Sequence, residues 1–207
     1  MPCYQKFRPN LEASPELSYL AGVMLGDGSC ARRERKGDYI IQLGCKDYEF
    51  ALAFNKCVCT LLKKTRLYSI NPDRIYWHVS AYSKALYFFF KGKRVKDFEA
   101  LAEAYPVDFL RGLYDSEGGV TGTWKQRKCK VVAITNLDRD LLAFAQHLLL
   151  KLGIPCYLWK ATYKNKRGIF VGYKYILGVS KRENAIRFCQ IIGSCIRRKI
   201  ELERPAC

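Results

Sequence analysis

Apolar positions along this chain switch between a helical period and a strand period, and the order of switches occurs twice. Ser14-Pro15-Glu16 offers an N-cap, a first-turn proline and an early acid, so a helix is expected from there to Gly26. Cys30 to Gly37 is basic and Asp38 to Leu43 reads as a strand, which together suggest a hairpin with a charged tip. Asp47 to Lys63 carries Phe50, Phe54 and Leu61 at helical spacing. Strands are expected over Thr65–Ile70 and Ile75–Ser80, joined by an Asn71-Pro72-Asp73 turn, then a helix over Ser83–Lys91. Gly92 to Glu99 is charged and reads as a linker. Pro106 then opens a second helix. Strands follow near Gly119–Lys125 and Lys130–Thr135, bridged by Gln126, Arg127 and Lys128, before a helix over Leu137–Leu152 that stops at Gly153. Strands near Cys156–Tyr163 and Ile169–Gly178 and a helix from Lys181 complete the pattern. Each half reads α-β-β-α-β-β-α. The expectation is an α+β chain of tandem, pseudo-twofold repeats: a polar arm at 1–13, a first repeat at 14–95, a linker at 96–105 and a second repeat at 106–207.

The opening helix of each repeat carries the same stretch. Leu20-Ala21-Gly22-Val23-Met24-Leu25-Gly26-Asp27-Gly28 returns 90 positions later as Leu110-Arg111-Gly112-Leu113-Tyr114-Asp115-Ser116-Glu117-Gly118. Gly22 and Gly26, like Gly112 and Ser116, share one helix face, where small residues let another backbone approach closely. Gly28 and Gly118 suit the left-handed position that ends a helix. If the two copies pack along their small faces, Asp27 and Glu117 meet at the negative ends of two helix dipoles, an arrangement that calls for a cation. A divalent ion with a taste for hard oxygen ligands fits; the bland alternative is a helix seam whose acids face solvent. Asp115 lies roughly 200° around the helix from Glu117 and belongs to no shared site.

Charge narrows the partner. The net charge is +17; residues 1–100 hold 17 basic and 10 acidic side chains, and residues 101–207 hold 19 and 9, so both halves are basic. A polyanion is expected, and nucleic acid over a membrane, since no basic amphipathic helix stands out. No run approaches a membrane span and no signal sequence opens the chain, which leads to the expectation of a soluble, intracellular protein. The ten cysteines lack zinc-finger spacing; buried thiols, or one or two disulfides in a hyperthermophile, both remain open. Of the two histidines, His147 reads as structural and His78 as a strand residue able to touch a partner. No set for nucleophilic catalysis and no Gly-rich phosphate loop is present.

The paired stretch resembles the LAGLIDADG motif, and a chain with two copies resembles a monomeric, two-motif LAGLIDADG homing endonuclease of the intron-encoded, archaeal-like type. Leu20, Ala21, Gly22, Asp27 and Gly28 match in the first copy; Leu110, Gly112, Leu113, Asp115 and Gly118 match in the second, where Glu117 holds the second acid position. Leu25 replaces the motif's first acid. The resemblance implies two four-stranded antiparallel sheets forming a saddle with the motif helices at its centre. It implies a Mg²⁺- or Mn²⁺-dependent, staggered double-strand break in a long DNA site, made by a monomer during intron homing. Asp27 and Glu117 become the catalytic metal ligands, with the carbonyls of Gly26 and Ser116 beside them. Asn136 matches a position near the attacking water. Its repeat counterpart, Cys45, cannot do that work, which leaves Gln42 or Lys46 to compensate; Arg198 and Lys199 are weaker candidates for a basic role.

Strand residues alternate faces, so half of each strand can meet DNA. The candidates are Arg33, Arg35, Arg66, Tyr68, Arg74, Tyr76 and His78 in the first repeat. In the second they are Lys125, Arg127, Lys128, Lys130, Trp159, Lys160, Tyr163 and Lys164. A two-stranded ribbon fits the major groove, where Arg reads guanine and Gln adenine. Two other functions compete: an RNA maturase that assists intron splicing, and a non-cleaving DNA-binding regulator. Acids at both motif ends favour cleavage, because a pure binder gains nothing from negative charge beside phosphate. The chain's ends, Met1-Pro2-Cys3 and Ala206-Cys207, lack a splicing amide and favour a free-standing enzyme over an intein.

Overall fold

Ser14 sits in extended conformation and its hydroxyl accepts the Leu17 amide at 3.3 Å, so the first helix starts where the capping signal placed it. In the computed structural model, which describes residues 9–121, 131–164 and 168–200, this helix is α1, Pro15–Leu25. A hairpin follows, β1 (Gly28–Arg33) and β2 (Asp38–Cys45), whose charged tip is a 3₁₀ turn closed by Gly37 at φ +66°. Next come α2 (Tyr48–Leu61), β3 (Ile70–Asp73), β4 (Tyr76–Tyr82), α3 (Lys84–Phe90) and α4 (Glu99–Ala104). The order then repeats as α5 (Pro106–Glu117), β5 (Gly118–Thr121), β6 (Val131–Asn136), α6 (Arg139–Lys151), β7 (Tyr157–Lys164), β8 (Phe170–Val179) and α7 (Arg182–Ile191), closed by a 3₁₀ turn at Arg197–Lys199. Two antiparallel four-stranded sheets result, ordered β1-β2-β4-β3 and β5-β6-β8-β7, in the expected α+β class.

The chain divides into two compact units, Met1–Gly112 and Leu113–Cys207, and the division falls inside α5. In the first unit Ile41, Leu43, Val79 and Ala81 bury one sheet face beneath Phe50, Phe54 and Val58 of α2 and Leu86 of α3. In the second, Val132, Ile134, Leu177 and Val179 do the same beneath Leu141, Leu142, Ala145 and Leu149 of α6 and Phe188 of α7. Cys45, Cys59 and Cys156 are buried thiols among these apolar side chains. Among the described residues no helix is long and apolar enough to cross a membrane.

Three expectations need correction. The third strand lies at Ile70–Asp73, so Asn71-Pro72-Asp73 is strand and Arg74-Ile75 is the turn, with Arg74 at φ +55°. The Asn55 side chain is the cause: its amide donates to the Tyr68 carbonyl at 2.7 Å and its oxygen accepts the Tyr68 amide at 3.0 Å. That removes Tyr68 from any ladder, and Pro72 is tolerated because β3 is an edge strand. Within the stretch expected as a linker, Val95, Phe98 and Ala102 are buried and α4 forms. Nor do Gly28 and Gly118 take left-handed backbone. A Cβ on Gly28 would lie 2.9 Å from the Met24 Cα, and one on Gly118 would overlap the Tyr114 ring, so glycine is needed for the sharp return of strand over helix.

Of the small positions expected to meet another backbone, Gly112 does so inside the first unit. Ser18 is fully buried and donates its hydroxyl to the Tyr105 carbonyl at 3.0 Å, anchoring the start of α5 to α1. About two turns along α5 from Tyr105, a Cβ built on Gly112 would overlap the Tyr19 carbonyl oxygen. Alanine for glycine within a helix is ordinarily favourable by about 0.5–1 kcal/mol. Overlap with a backbone oxygen reverses the sign, and Gly112→Ala is expected to destabilise by about 2 kcal/mol. Gly119→Ala, where a Cβ meets nothing within 4 Å, should stay within about 0.5 kcal/mol of the parent. Urea unfolding of both variants checks this; equal stability would remove the close approach from the fold's requirements.

Candidate functional site

Each motif acid occupies the corner where a helix turns into the first strand of its sheet. Asp27 follows α1 by two residues and is exposed; Gly26 before it returns its amide to the Val23 carbonyl at 3.1 Å. Glu117 is the last residue of α5 and is half-buried, with Ser116 half-buried beside it. Both carboxylates stand at the negative end of a helix, where a cation is favoured. Carboxylate and carbonyl oxygens are the hard donors that Mg²⁺-like ions take, so Asp27 with the Gly26 carbonyl, and Glu117 with the Ser116 carbonyl, fit such an ion chemically. Among the described residues no group of three His, Cys, Asp or Glu converges to hold a metal.

Strand register sets what surrounds each acid. In the first unit Gly28 pairs with Leu43 and Leu43 with Val79, which puts Ser29, Gln42 and Ser80 side by side on the face away from the helices. In the second, Gly118 pairs with Ile134 and Ile134 with Leu177, and the matching row is Gly119, Ala133 and Gly178. Gln42 thus sits in a polar row whose counterpart has no hydrogen-bonding side chain. Cys45 and Asn136 correspond as expected, each closing its strand opposite Trp77 or Tyr175. The Cys45 thiol donates to the Asp47 carbonyl at 3.3 Å. Burial pushes that thiol up to about 11, and the negative charges of Asp47 and Asp27 add to the shift. The Asn136 oxygen accepts the Asp138 amide at 2.8 Å, and the Asp138 carboxylate in turn caps α6 through the Asp140 and Leu141 amides. Asn136 is therefore partly committed to a turn.

The last turn of α5 is clasped by the segment after α7. Lys199, only 6% exposed, donates to the Tyr114 carbonyl at 3.1 Å and the Asp115 carbonyl at 2.6 Å. Tyr114 returns its hydroxyl to the Lys199 carbonyl at 2.8 Å. Asp115, also buried, accepts the Ser194 hydroxyl and the Cys195 amide. A buried ammonium thus satisfies two carbonyls immediately before Ser116 and Glu117 and offsets the helix's negative end. The residue was visible in the sequence only as part of a basic pair; 85 residues separate it from Tyr114, and no local pattern reports that.

The expected DNA contacts sort by position. Arg33, Tyr76 and His78 lie on the first sheet's open face, Arg35 in the hairpin tip and Arg74 in the turn after β3. Arg74, Tyr76 and His78 line a cleft of about 630 Å³ with Gly44 and Asp73, two residues not anticipated. Gly44 leaves room for the His78 ring, whose nearest atoms would stand 3.0 Å from an added Cβ; His78 Nε2 is 3.8 Å from Asp73. Arg66 and Tyr68 precede β3 and lie in no strand. Trp159 and Tyr163 share the open face of the second sheet, while Lys160 is on the opposite face with its ammonium 3.6 Å from the Tyr173 ring centre. Lys164 follows a register shift at the end of β7. Lys125, Arg127, Lys128 and Lys130 lie outside the described residues. His147 is exposed on α6 beside Phe144.

Comparison with known proteins agrees with this architecture. The profile of a LAGLIDADG-like domain matches residues 104–193. An uncharacterized protein of Methanocaldococcus jannaschii is 35% identical over 208 residues, which span 93% of this chain and 71% of that protein. Among solved structures, the homing endonuclease I-DmoI in complex with DNA and Mn superposes with a TM-score of 0.63 at 19% identity, over 88% of this chain and 98% of that one. The homing endonuclease I-WcaI bound to its DNA recognition sequence gives 0.62 at 16% identity, over 93% and 88%. At such identities the structural likeness speaks for the fold.

Two measurements test the local chemistry. Lys199→Met leaves two buried carbonyls without their donor and is expected to cost about 3 kcal/mol, lowering Tm by roughly 10 °C; an unchanged melt would show that the clasp carries no stability. The Cys45 thiol titrates higher folded than its ordinary 9.0, so its contribution to stability is complete below about pH 9 and is lost as pH rises towards about 11. Mass-mapped alkylation at pH 8 should leave Cys45 unmodified in the native protein and modify it in denaturant. Rapid native labelling would contradict its burial.

Proposed function

The chain belongs to the LAGLIDADG family, and on that premise we propose that it is a site-specific homing endonuclease, hydrolysing both strands of a long duplex DNA site in a divalent-metal-dependent reaction. One observation carries the proposal: a carboxylate stands at the same helix-to-strand corner in both repeats, Asp27 and Glu117, each at the negative end of its helix. Asp27 with the Gly26 carbonyl and Glu117 with the Ser116 carbonyl would hold Mg²⁺ or Mn²⁺. When bound, such ions activate water and neutralise charge on the leaving oxygen.

The remaining work falls to the chain's own groups. Gln42, flanked by Ser29 and Ser80, offers both a donor and an acceptor and is the group best placed in the first unit to hold a water or a phosphate oxygen. In the second unit the Asn136 amide is the corresponding candidate, through the donor its turn leaves over. Arg33, Arg35, Arg74, Tyr76 and His78 would contact phosphates and base edges from the first sheet. The net charge of +17 makes affinity steeply salt-dependent.

The test uses a duplex library with randomised sites, incubated with the protein in Mg²⁺ or in chelator, and the new ends are sequenced. Double-strand ends at one preferred site, in Mg²⁺ only, are expected. On that site Asp27→Asn and Glu117→Gln should each slow cleavage by about 100-fold or more while duplex binding persists. Cleavage by either variant at the parent's rate would remove that acid from the reaction. Duplex binding without cleavage by the parent would identify a regulator instead.

A further inference from the structure

The first hairpin has chemistry on its helix side as well as on its open face. Arg32 and Tyr39 pair across β1 and β2, in phase with Ile41 and Leu43, so both point to the side that the helices cover. There α3 packs on the two strands and carries Phe88 outward, 54% exposed. The Tyr39 ring centre lies 5.1 Å from that of Tyr87 and 5.3 Å from that of Phe88, so the three rings form one cluster. Cations surround it. The Arg32 guanidinium is 5.3 Å and the Lys84 ammonium 5.5 Å from the Tyr39 ring centre, and the Lys91 ammonium is 5.0 Å from that of Tyr87. Lys84 and Lys91 stand four positions before and three after Phe88, which puts them on its side of α3. Among the described residues none of the ion pairs takes Arg32, Lys84 or Lys91.

Three cations around one exposed apolar ring call for an occupant with carboxylates beside an apolar side chain. A second copy of this chain is a poor one, because two chains of net charge +17 repel. Stacked bases are poor occupants too. Stacking takes an open ring face, yet Tyr39 has cations over its ring, and Tyr87 is buried and meets Phe88 edge-on at 89°. An aromatic anchor flanked by arginine and lysine is the usual make-up of a protein-binding surface, with the charges selecting the partner by sign. We propose that Phe88, with Arg32, Lys84 and Lys91 around it, is a docking site for an acidic segment of a partner protein, which sets an apolar side chain on Phe88 and carboxylates on the three cations. Gln42 and His78 lie on the opposite side of this sheet, so the docking site leaves them uncovered. It does not rest on the chain being a nuclease.

The test measures anisotropy of labelled probes at physiological salt in chelator: a short peptide of Glu interrupted by Phe and Leu, a poly-Glu peptide of the same charge, a single-stranded oligonucleotide and a blunt duplex. The parent should bind the Phe- and Leu-containing peptide about tenfold more tightly than poly-Glu. Phe88→Ser should remove that preference and change affinity for either nucleic acid less than threefold, while Phe88→Leu, which keeps an apolar side chain, should retain it and guard against a folding defect. Lys84→Gln combined with Lys91→Gln should weaken both peptides. Equal binding of the two peptides by the parent, or an unchanged preference in Phe88→Ser, would overturn the site. Equal losses on peptide and oligonucleotide would assign the surface to nucleic acid instead, and self-association by light scattering that Phe88→Ser abolishes would assign it to a second copy; either result overturns the proposal.

Discussion

A carboxylate at the C-terminal end of a helix is an electrostatic burden, and each repeat carries one. The helix contributes a partial negative charge there and the nearby carbonyls lack intrahelical donors. In the second unit the chain supplies its own relief: Lys199 binds the Tyr114 and Asp115 carbonyls, and Asp115 is satisfied by Ser194 and Cys195. The first repeat has Met24 and Leu25 at the corresponding positions, side chains that cannot form such a clasp. Its acid is exposed instead. The same functional need, an acid held at a helix end, has two physical solutions in one chain.

The acid-glycine pair makes sense in the same terms. Glycine after the acid is required by contact with Met24 or Tyr114, not by a left-handed backbone. The strand leaves the helix so sharply that a methyl group would strike the preceding turn. The carboxylate is therefore placed by two backbone elements at once. Gly112 against the Tyr19 carbonyl, midway along α5, and Ser18 on Tyr105, just before it, hold α5 to α1 in the same way.

Much of the fold was legible because hydrophobic periodicity reports local structure with one buried side. The α-β-β-α-β-β-α order, the Ser14 cap and the first hairpin came through for that reason. The third strand was misplaced because a single buried side chain, Asn55, takes both backbone groups of Tyr68 and outweighs the turn signal at Asn71-Pro72-Asp73. The charged stretch after α3 looked like a linker because Val95 and Phe98 are isolated apolar residues whose burial depends on tertiary neighbours. Of the site, the two acids were visible by repetition. The unequal rows beside them were not, since placing Ser29 and Ser80 beside Gln42, and Gly119 and Gly178 beside Ala133, requires the strand register, and Lys199 required contacts from across the second unit.

That inequality has a consequence for how two such sheets divide labour. Tandem repeats begin with the same surface, and a partner with twofold character would keep them alike. Here the first sheet holds Gln42, Ser80, His78 and the Asp73–Arg74 corner, groups suited to edges and phosphates. The second has Gly119, Ala133 and Gly178 in the matching row, with Trp159 against Gly178. Glycine at position 178 and tryptophan at position 159 make sense only together, because any side chain at the first would lift the indole off the sheet. Filling that space with an aromatic plate forgoes hydrogen-bond readout at the row and gains ring surface. The two open faces therefore differ in the chemical groups they present while the repeats keep the same fold.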